Sequence, residues 1–256
     1  MKVTILGCGA ATGVPAVSHD WGSCDPANPK NRRTRASIYI ETEGQKILVD
    51  TSPDLRAQML SNGLKALDGV LYTHDHADHV HGIDDLREVN RITEKPLNVY
   101  GEPHVLAVIK QRFDYVFAPV DGDKYLSYKP MLVDHNISGI FNVGPVAIQP
   151  FTQSHGYTNT TGYRIGNFAY STDVVEFPDE SLKYLENLDL WIVSCLLYKP
   201  HQTHAHYDKV LEWVERFKPK RTILTHMGAR MDYATLRQTL PPNIEPAYDG
   251  MVLEVR

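Results

Sequence analysis

Short runs of β-branched residues alternate with helix-like stretches along the whole chain, and this alternation limits the fold more than any other feature. Short apolar runs of this kind are typical of strands, whereas apolar residues recurring every three or four positions are typical of helices. Two mixed halves result, about 1–115 and 140–256. An α/β fold, with two sheets packed face to face and helices outside, would accommodate both. The predicted strands are 3–6, 37–41, 46–49, 70–73, 97–100, 143–151, 161–171 (with a hairpin turn at Gly166-Asn167), 190–196, 221–225 and 250–255, and the predicted helices are 53–62, 82–92, 103–113, 178–187, 207–217 and 231–239.

Length, charge and cysteine content narrow the class of protein. The chain has 256 residues, three widely spaced cysteines and a net charge of −5. Since α/β folds often reach ~250 residues as one unit, we expect a single domain over 1–256. The cysteines do not form the disulfide framework of a secreted protein, and no apolar run approaches the ~18 residues that span a bilayer. We therefore expect a cytoplasmic protein without a membrane partner; a homodimer is compatible with the composition.

A glycine-rich segment follows the first predicted strand, with glycines at Gly7, Gly9 and Gly13. A dinucleotide site needs a helix to open there, so that its N-terminus can hold the pyrophosphate. The spacing is one residue off, and Val14-Pro15 follows where that helix should begin. We interpret these glycines instead as letting the backbone pass close beneath a site.

A dense cluster of metal-ligand residues stands between the predicted strand 70–73 and the predicted helix 82–92. It consists of His74, His76, Asp78 and His79. Imidazole nitrogens and carboxylate oxygens are the ligands that borderline divalent metals prefer, and burying so many titratable groups without a metal would be costly. The alternative is a solvated, histidine-rich loop. Further candidates follow later predicted strands, each weak alone but strong with the first motif: His155, Asp173 and His226.

The order of these residues resembles the metallo-β-lactamase superfamily over nearly the whole chain, and most closely its PhnP-type phosphodiesterases and the related tRNase Z enzymes. The resemblance implies a four-layer αββα sandwich with the site at one sheet edge. It implies two divalent metal ions, zinc or manganese. One ion would be held by His74, His76 and His155 and the other by Asp78, His79 and His226, with Asp173 bridging both.

Asp50 ends the predicted strand 46–49 and matches an aspartate that usually supports the histidine loop of the family from outside the ligand set. An aspartate that simply begins the turn before the next helix is the alternative reading of the same residue.

His204 lies just before the predicted helix 207–217, where PhnP-like and tRNase Z-like phosphodiesterases carry a histidine that is not a ligand. The resemblance implies hydrolysis of small cyclic or nucleotide phosphodiesters by a hydroxide that bridges the metals. Asp78 would orient that hydroxide, and His204, with a pKa near neutral, would protonate the leaving oxygen. Helix capping or a surface position is the alternative for His204, and we favour it for His201 and His206.

Two other functions stay open: a thioester or lactone hydrolase of the same fold, and a catalytically silent metal-binding accessory protein. Activity on model esters compared with bis(p-nitrophenyl) phosphate would separate the phosphodiesterase from the thioester or lactone hydrolase. Measurable turnover of a phosphodiester would separate it from the silent protein. The sequence also shows no inserted arm of the kind tRNase Z uses to grip tRNA, so a small-molecule substrate is favoured over a large nucleic acid.

A short basic run in an otherwise acidic chain consists of Arg32, Arg33 and Arg35. It lies on the irregular segment 17–35, which we predict to be a long surface loop bordering the site. Guanidinium groups suit phosphate, so the run is a candidate phosphate-binding element. A solvated charge run is the alternative.

Overall fold

Two seven-stranded mixed sheets pack face to face in the computed structural model of the chain, which describes residues 1–119 and 129–255. The strands are β1 (Lys2–Gly7), β2 (Ser37–Thr42), β3 (Gln45–Val49), β4 (Gly69–Leu71), β5 (Leu97–Gly101), β6 (Leu132–Asn136), β7 (Phe141–Val143), β8 (Val146–Ser154), β9 (Asn159–Ile165), β10 (Phe168–Ser171), β11 (Leu190–Ser194), β12 (Arg221–Thr225), β13 (Ile244–Pro246) and β14 (Val252–Glu254). The α-helices are α1 (Leu55–Ser61), α2 (Ala77–Val80), α3 (Leu86–Thr93), α4 (Pro103–Arg112), α5 (Asp114–Phe117), α6 (Asp179–Leu182), α7 (Tyr207–Phe217) and α8 (Tyr233–Thr239).

The first sheet has the order β14-β1-β2-β3-β4-β5-β6 and the second β13-β12-β11-β10-β9-β8-β7. Strands β3 to β6 are mutually parallel, as are β10 to β13. Strand β8 reaches β10 through two antiparallel pairings, so it runs in the same direction as β10. Because the carboxyl ends of strands that run in the same direction meet at one edge of a sheet, the loops after these strands can build a common site.

Strand alternation explains how the core is divided. In β2, Ile38 and Ile40 belong to the large apolar cluster between the sheets, whereas Tyr39 belongs to a second cluster under the helices. In β3, Leu48 likewise faces the helices. Because successive strand residues point to opposite faces, every buried strand of the first sheet contributes to both layers.

Helices cover the outer face of each sheet. On α7, apolar residues recur at the helical spacing and bury against the second sheet, where the ring of Trp213 lies 6.3 Å from that of Trp191 on β11. Residues of α1, α3 and α4 cover the first sheet, among them Leu55, Leu86 and Ile109. This arrangement of helices, sheet, sheet and helices confirms the predicted four-layer sandwich. Within the ranges that the structure describes, no helix is long and apolar enough to cross a membrane.

Several element boundaries differ from prediction. The predicted strand 143–151 is largely β8 but begins too early, because Gly144 adopts a left-handed conformation (φ 57°) in the turn that separates β7 from β8. The predicted helix 178–187 shortens to one turn, α6, followed by a 3-10 turn at Lys183–Leu185. Strands β6 and β13 are absent from the prediction, since both are edge strands with a weak alternating pattern, and β13 is three residues long and ends in proline.

Candidate metal centre

Three predicted site residues adopt the left-handed backbone conformation. Asp50 (φ 65°) directly follows β3, His226 (φ 52°) directly follows β12, and Asp173 (φ 50°) lies two residues beyond β10. For a residue other than glycine this conformation costs roughly 1–3 kcal/mol and persists only where the surrounding structure enforces it. At these three points the chain turns side chains from two sheets toward one centre.

The first group of donors consists of His74, His76, His155 and Asp173, whose ligand atoms all lie within 4.8 Å of one another. Asp173 Oδ2 lies 3.5 Å from His74 Nε2 and 3.8 Å from His155 Nε2. The ring of His76 is 4.6 Å from that of His74. His76 alone in this group is exposed, so the group is open on one side.

The second group consists of Asp78, His79, His226 and, again, Asp173. Asp78 Oδ2 lies 3.2 Å from His79 Nε2 and 3.4 Å from His226 Nε2. Asp173 Oδ1 lies 3.1 Å from His226 Nε2. Since the other oxygen of Asp173 faces the first group, this carboxylate stands between the two groups, the position predicted for a bridging ligand.

A chain of hydrogen bonds behind the ligands fixes the orientation of two rings. His79 Nδ1 lies 2.7 Å from Asp50 Oδ2, and the Thr73 hydroxyl donates to the same carboxylate at 2.7 Å. His74 Nδ1 lies 2.9 Å from that hydroxyl and donates to it, because its proton is already used. Both rings therefore turn Nε2 toward the centre. Asp50 takes the supporting position outside the ligand set, although burial raises its pKa against the opposing effect of His79.

The donors fit divalent metal ions. His155 Nδ1 donates to the carbonyl of Thr203 at 2.7 Å, so its Nε2 also faces Asp173, while Nε2 of His74 and of His79 is buried without a hydrogen bond. Imidazole nitrogens and carboxylate oxygens that converge in a buried centre favour a cation between them. Ligand atoms ~2.0–2.2 Å from one tetrahedral ion lie ~3.3–3.6 Å apart, close to the imidazole–carboxylate separations of 3.1 to 3.8 Å observed.

The charge state of the carboxylates suits metal binding. Burial by itself would raise the pKa of Asp173, but His226 and His79 outweigh burial and hold that pKa well below its usual range. The pKa of Asp78 is lowered against burial by the same two histidines. Both groups are therefore ionised at neutral pH, as metal ligands must be.

His204 lies beside the donors without belonging to either group. Its ring is 4.7 Å from that of His155 and stacks on that of His226 at 5.0 Å. Burial lowers the pKa of His204 to about 3. This pKa lies below the near-neutral value expected from the sequence, because the ring is partly buried against His155 and His226. The neutral ring still offers one N–H.

The three arginines do not gather at the centre. Arg33 is 2% exposed and donates to the backbone carbonyls of Met231 and Gly228, so it anchors the segment 17–35 to the chain that follows His226 and is not available to a phosphate. Arg35 pairs with Asp54 at 3.2 Å, and Arg32 lies 5.2 Å over the ring of Trp21.

A cavity of about 250 Å³ lies at the centre, and it includes residues that the sequence did not indicate. Ala11 belongs to the glycine-rich segment, whose spacing pointed to a close approach, but nothing marked Tyr157 or Thr158 except their position after His155. A larger cavity of about 610 Å³, between α1 and α3, contains none of the donors. The metal-ligand chemistry therefore identifies the smaller cavity as the site.

A family model described as a beta-lactamase superfamily domain matches residues 45–227, which include both donor groups. The chain belongs to the β-lactamase superfamily, as the order of its ligands predicted.

Individual relatives indicate which members of the superfamily the chain resembles. The chain is 33% identical to a crystal structure of a new diphosphatase from the PhnP family, with a TM-score of 0.91 over 100% of this chain and 98% of that one. Zn(2+)-bound PqqB from Methylobacterium extorquens shares the fold at 19% identity and a TM-score of 0.77, over 100% of each chain. An octanoyltransferase from Porphyromonas gingivalis is 34% identical over 98% of this chain and 51% of its own length, and a ribonuclease Z from Bradyrhizobium sp. is 28% identical over 53% and 45%. The chain thus spans about half the length of these two relatives.

Proposed function

We propose that the chain is a phosphodiesterase that acts on small cyclic or nucleotide phosphodiesters with two divalent metal ions, one in each donor group. The observation that carries this proposal is His204, which lies in the cavity beside both groups without being a donor in either. Hydrolysis of a phosphodiester releases an alkoxide, which needs a proton or a hydrogen bond as it leaves. A non-ligand imidazole beside a two-metal centre meets that need.

Each residue then has a distinct part in the reaction. The two ions, when bound, would supply an activated water and offset the negative charge on the phosphate. Asp78 has a side chain that is 12% exposed and borders the cavity, so its carboxylate can accept a hydrogen bond from the attacking water. His204 donates its N–H to the leaving oxygen. Thr203 and Asp50 hold the ligand rings in place from behind.

Turnover of bis(p-nitrophenyl) phosphate and of a nucleoside cyclic phosphate by the metal-loaded protein tests the proposal. We expect both to be hydrolysed, and the β-lactam nitrocefin to be left intact. The matched control is His76→Ala, which removes an exposed donor with little effect on the core. Faster turnover of nitrocefin than of any phosphodiester would overturn the assignment.

Hydrolysis of a diphosphate is a second candidate, favoured by the likeness to the PhnP-family diphosphatase. The reacting centre is again phosphoryl, but the leaving phosphate is stabler than an alkoxide and depends less on His204. A dinucleoside diphosphate tested beside the cyclic phosphate would rank the two substrates.

Thioester hydrolysis is a third candidate, because the octanoyltransferase relative acts on acyl groups by its name. The chain matches only about half of that protein, and the name describes the activity of the whole protein. Release of octanoate from an octanoyl thioester, faster than any phosphoryl transfer to water, would support this reading over the first.

A further inference from the structure

Tyr157 stands at the rim of the metal centre with its ring in solvent. It follows the donor His155 in the turn between β8 and β9, borders the same cavity as His204, and is 85% exposed. Large aromatic side chains bury most of their surface when they serve the core. A ring left open beside a polar centre is free to take a partner from outside the chain.

Although exposed, the ring is held at both ends. Its hydroxyl donates to Gln202 Oε1 at 2.5 Å, and its backbone N–H donates to the carbonyl of His155 at 3.1 Å. The backbone of His155 is also fixed, because its own N–H donates to the carbonyl of Thr158 at 2.8 Å. Gly156 (φ 78°) packs so closely that a Cβ there would lie 2.7 Å from the carbonyl of Gln202. The ring is therefore placed in advance of binding, which reduces the entropy lost when a ligand docks.

The size of the cavity indicates which part of a substrate would contact the ring of Tyr157. Pockets that enclose a whole ligand of drug size commonly measure ~300–1,000 Å³, and this one measures about 250 Å³. It suits the phosphodiester and the atoms next to it. Any larger group on the substrate must project through the opening, where Tyr157 and the small side chain of Ala11 lie.

We propose that Tyr157 is a stacking platform that selects phosphodiesters bearing a nucleobase on the group that projects from the cavity. Every base has a flat π-face, and stacking on a fixed aromatic ring strengthens binding without contacts to particular base edges. The inference rests on the proposed phosphodiesterase function and adds the substrate class: small nucleotides in preference to sugar or glycerol phosphodiesters without a base.

The test compares a nucleoside cyclic phosphate with glycerol cyclic phosphate in the metal-loaded protein. Base stacking is worth ~1–3 kcal/mol, so Tyr157→Ala should raise KM for the nucleoside substrate roughly 5- to 150-fold. The same variant should change KM for the glycerol substrate less than about twofold. Tyr157→Phe keeps the ring and should stay within a few-fold of wild type. Tyr198→Ala removes a partly exposed tyrosine that borders a different cavity and should change neither substrate.

Equilibrium binding keeps the two proposals separable. Calorimetric titration with a nucleoside monophosphate and with ribose phosphate needs no turnover, and Tyr157→Ala should weaken only the first. Equal loss for both ligands, or no loss for either, would overturn the role of Tyr157. If wild type binds the nucleotide through Tyr157 but hydrolyses no phosphodiester, the proposed function fails and the stacking site stands.

Discussion

The orientation of each histidine donor depends on what its second ring nitrogen contacts. Two of the histidines depend on the buried carboxylate of Asp50: His79 contacts it directly, and His74 contacts it through the Thr73 hydroxyl. That arrangement leaves Nε2 of each ring facing the centre. A change at Asp50 therefore acts on two ligands at once without touching a metal.

Asp50→Asn should weaken metal binding without unfolding the chain. Asparagine tolerates the left-handed backbone at this position, which has a φ of 65°, and nearly preserves the volume of the side chain. It removes the carboxylate that orients the rings, and changes of this kind typically cost ~10–100-fold in metal affinity. Titration of the metal-free protein with zinc would measure the loss. Unchanged affinity would show that Asp50 only begins a turn.

His204→Ala should separate chemistry from metal binding. The ring stacks on His226 but does not belong to either donor group, so metal content and melting temperature should stay near wild type. Hydrolysis of substrates with alkoxide leaving groups should fall ~10²-fold or more, because removing one hydrogen-bond donor to a developing negative charge typically costs ~10²–10³-fold. Substrates that release p-nitrophenolate should lose less.

Two outcomes with His204→Ala would contradict this picture in different ways. Full activity on alkoxide-leaving substrates would reduce His204 to a packing residue. Loss of metal would make it a ligand and revise the set of seven.

Residue spacing was sufficient to predict the donors but not their surroundings. His74, His76, Asp78 and His79 are close in sequence, so their convergence follows from local geometry. The burial of Arg33 and the low pKa of His204 arise from contacts with distant segments. A charged side chain in a loop looks the same in sequence whether it binds solvent, a phosphate or a carbonyl. That distinction exists only in the folded chain.

At the scale of elements, α4 supports the ligand loop from outside the sheets. Arg112, at its end, donates to the backbone carbonyl of Asp75 and, at 2.9 Å, to its carboxylate. Asp75 lies between His74 and His76, so the helix restrains the segment that carries both ligands.

Arg112→Ala should lower metal affinity modestly, by about two- to fivefold, which is the worth of a partly exposed ion pair. Lys110→Ala is the matched control, because it removes a similarly exposed ion pair, with Asp134, from the same helix. Zinc titration should therefore give a lower affinity for Arg112→Ala than for Lys110→Ala. Equal affinities would show that α4 does not restrain the loop.

Asp232 connects α8 to the segment 17–35 and should make the stability of the protein depend on pH. It caps α8 by accepting from the Thr235 N–H at 2.8 Å, and it accepts from the Asn31 side chain at 2.7 Å. Burial opposes ionisation, but these hydrogen bonds outweigh it and lower the pKa of Asp232 to about 2. A lowered folded-state pKa stabilises the fold above the unfolded pKa of ~3.9, and that contribution is lost as the pH falls toward the folded value.

Asp232→Ala should therefore cost about 1–2 kcal/mol in the free energy of unfolding at neutral pH, and less at pH 3. Urea denaturation at the two pH values would measure the difference. Asp232→Asn keeps an acceptor at the cap and should show a smaller cost with a weaker dependence on pH. A cost that is the same at both pH values would show that the ionised form of Asp232 does not stabilise the fold.

Elements with strong internal periodicity could be predicted, whereas those defined by their neighbours could not. The helix 207–217 and the strand 221–225 agree with α7 and β12 because their apolar patterns are regular and their ends are marked. Strand β6 exposes most of its residues at the edge of the first sheet, so its sequence carries little pattern. Its strand conformation comes from pairing with β5.

For the whole molecule, the metal centre joins the two sheets. The loops after β3 and β4 of the first sheet supply Asp50 and the cluster from His74 to His79, and the second sheet supplies His155, Asp173 and His226. The alternation of elements predicted two sheets, but not which strand pairs with which. In particular, β14 joins β1 in the first sheet from the other end of the chain. Such pairing depends on contacts too distant in sequence for any local pattern to reveal.

Because each donor group takes residues from both sheets, bound metal should stabilise the whole fold. A ligand that binds only the folded state at 100 times its Kd adds ~2.7 kcal/mol, and for chains of this size each kcal/mol shifts Tm by ~2–4 °C. Chelation should therefore lower Tm by roughly 5–10 °C, and zinc or manganese should restore it. Elemental analysis of the reconstituted protein should give two ions per chain. His76→Ala, which removes an exposed donor of the first group, should retain one ion and recover only part of the shift. A Tm that is insensitive to chelation, together with no bound metal after reconstitution, would mean that the buried imidazoles hold their positions without a cation.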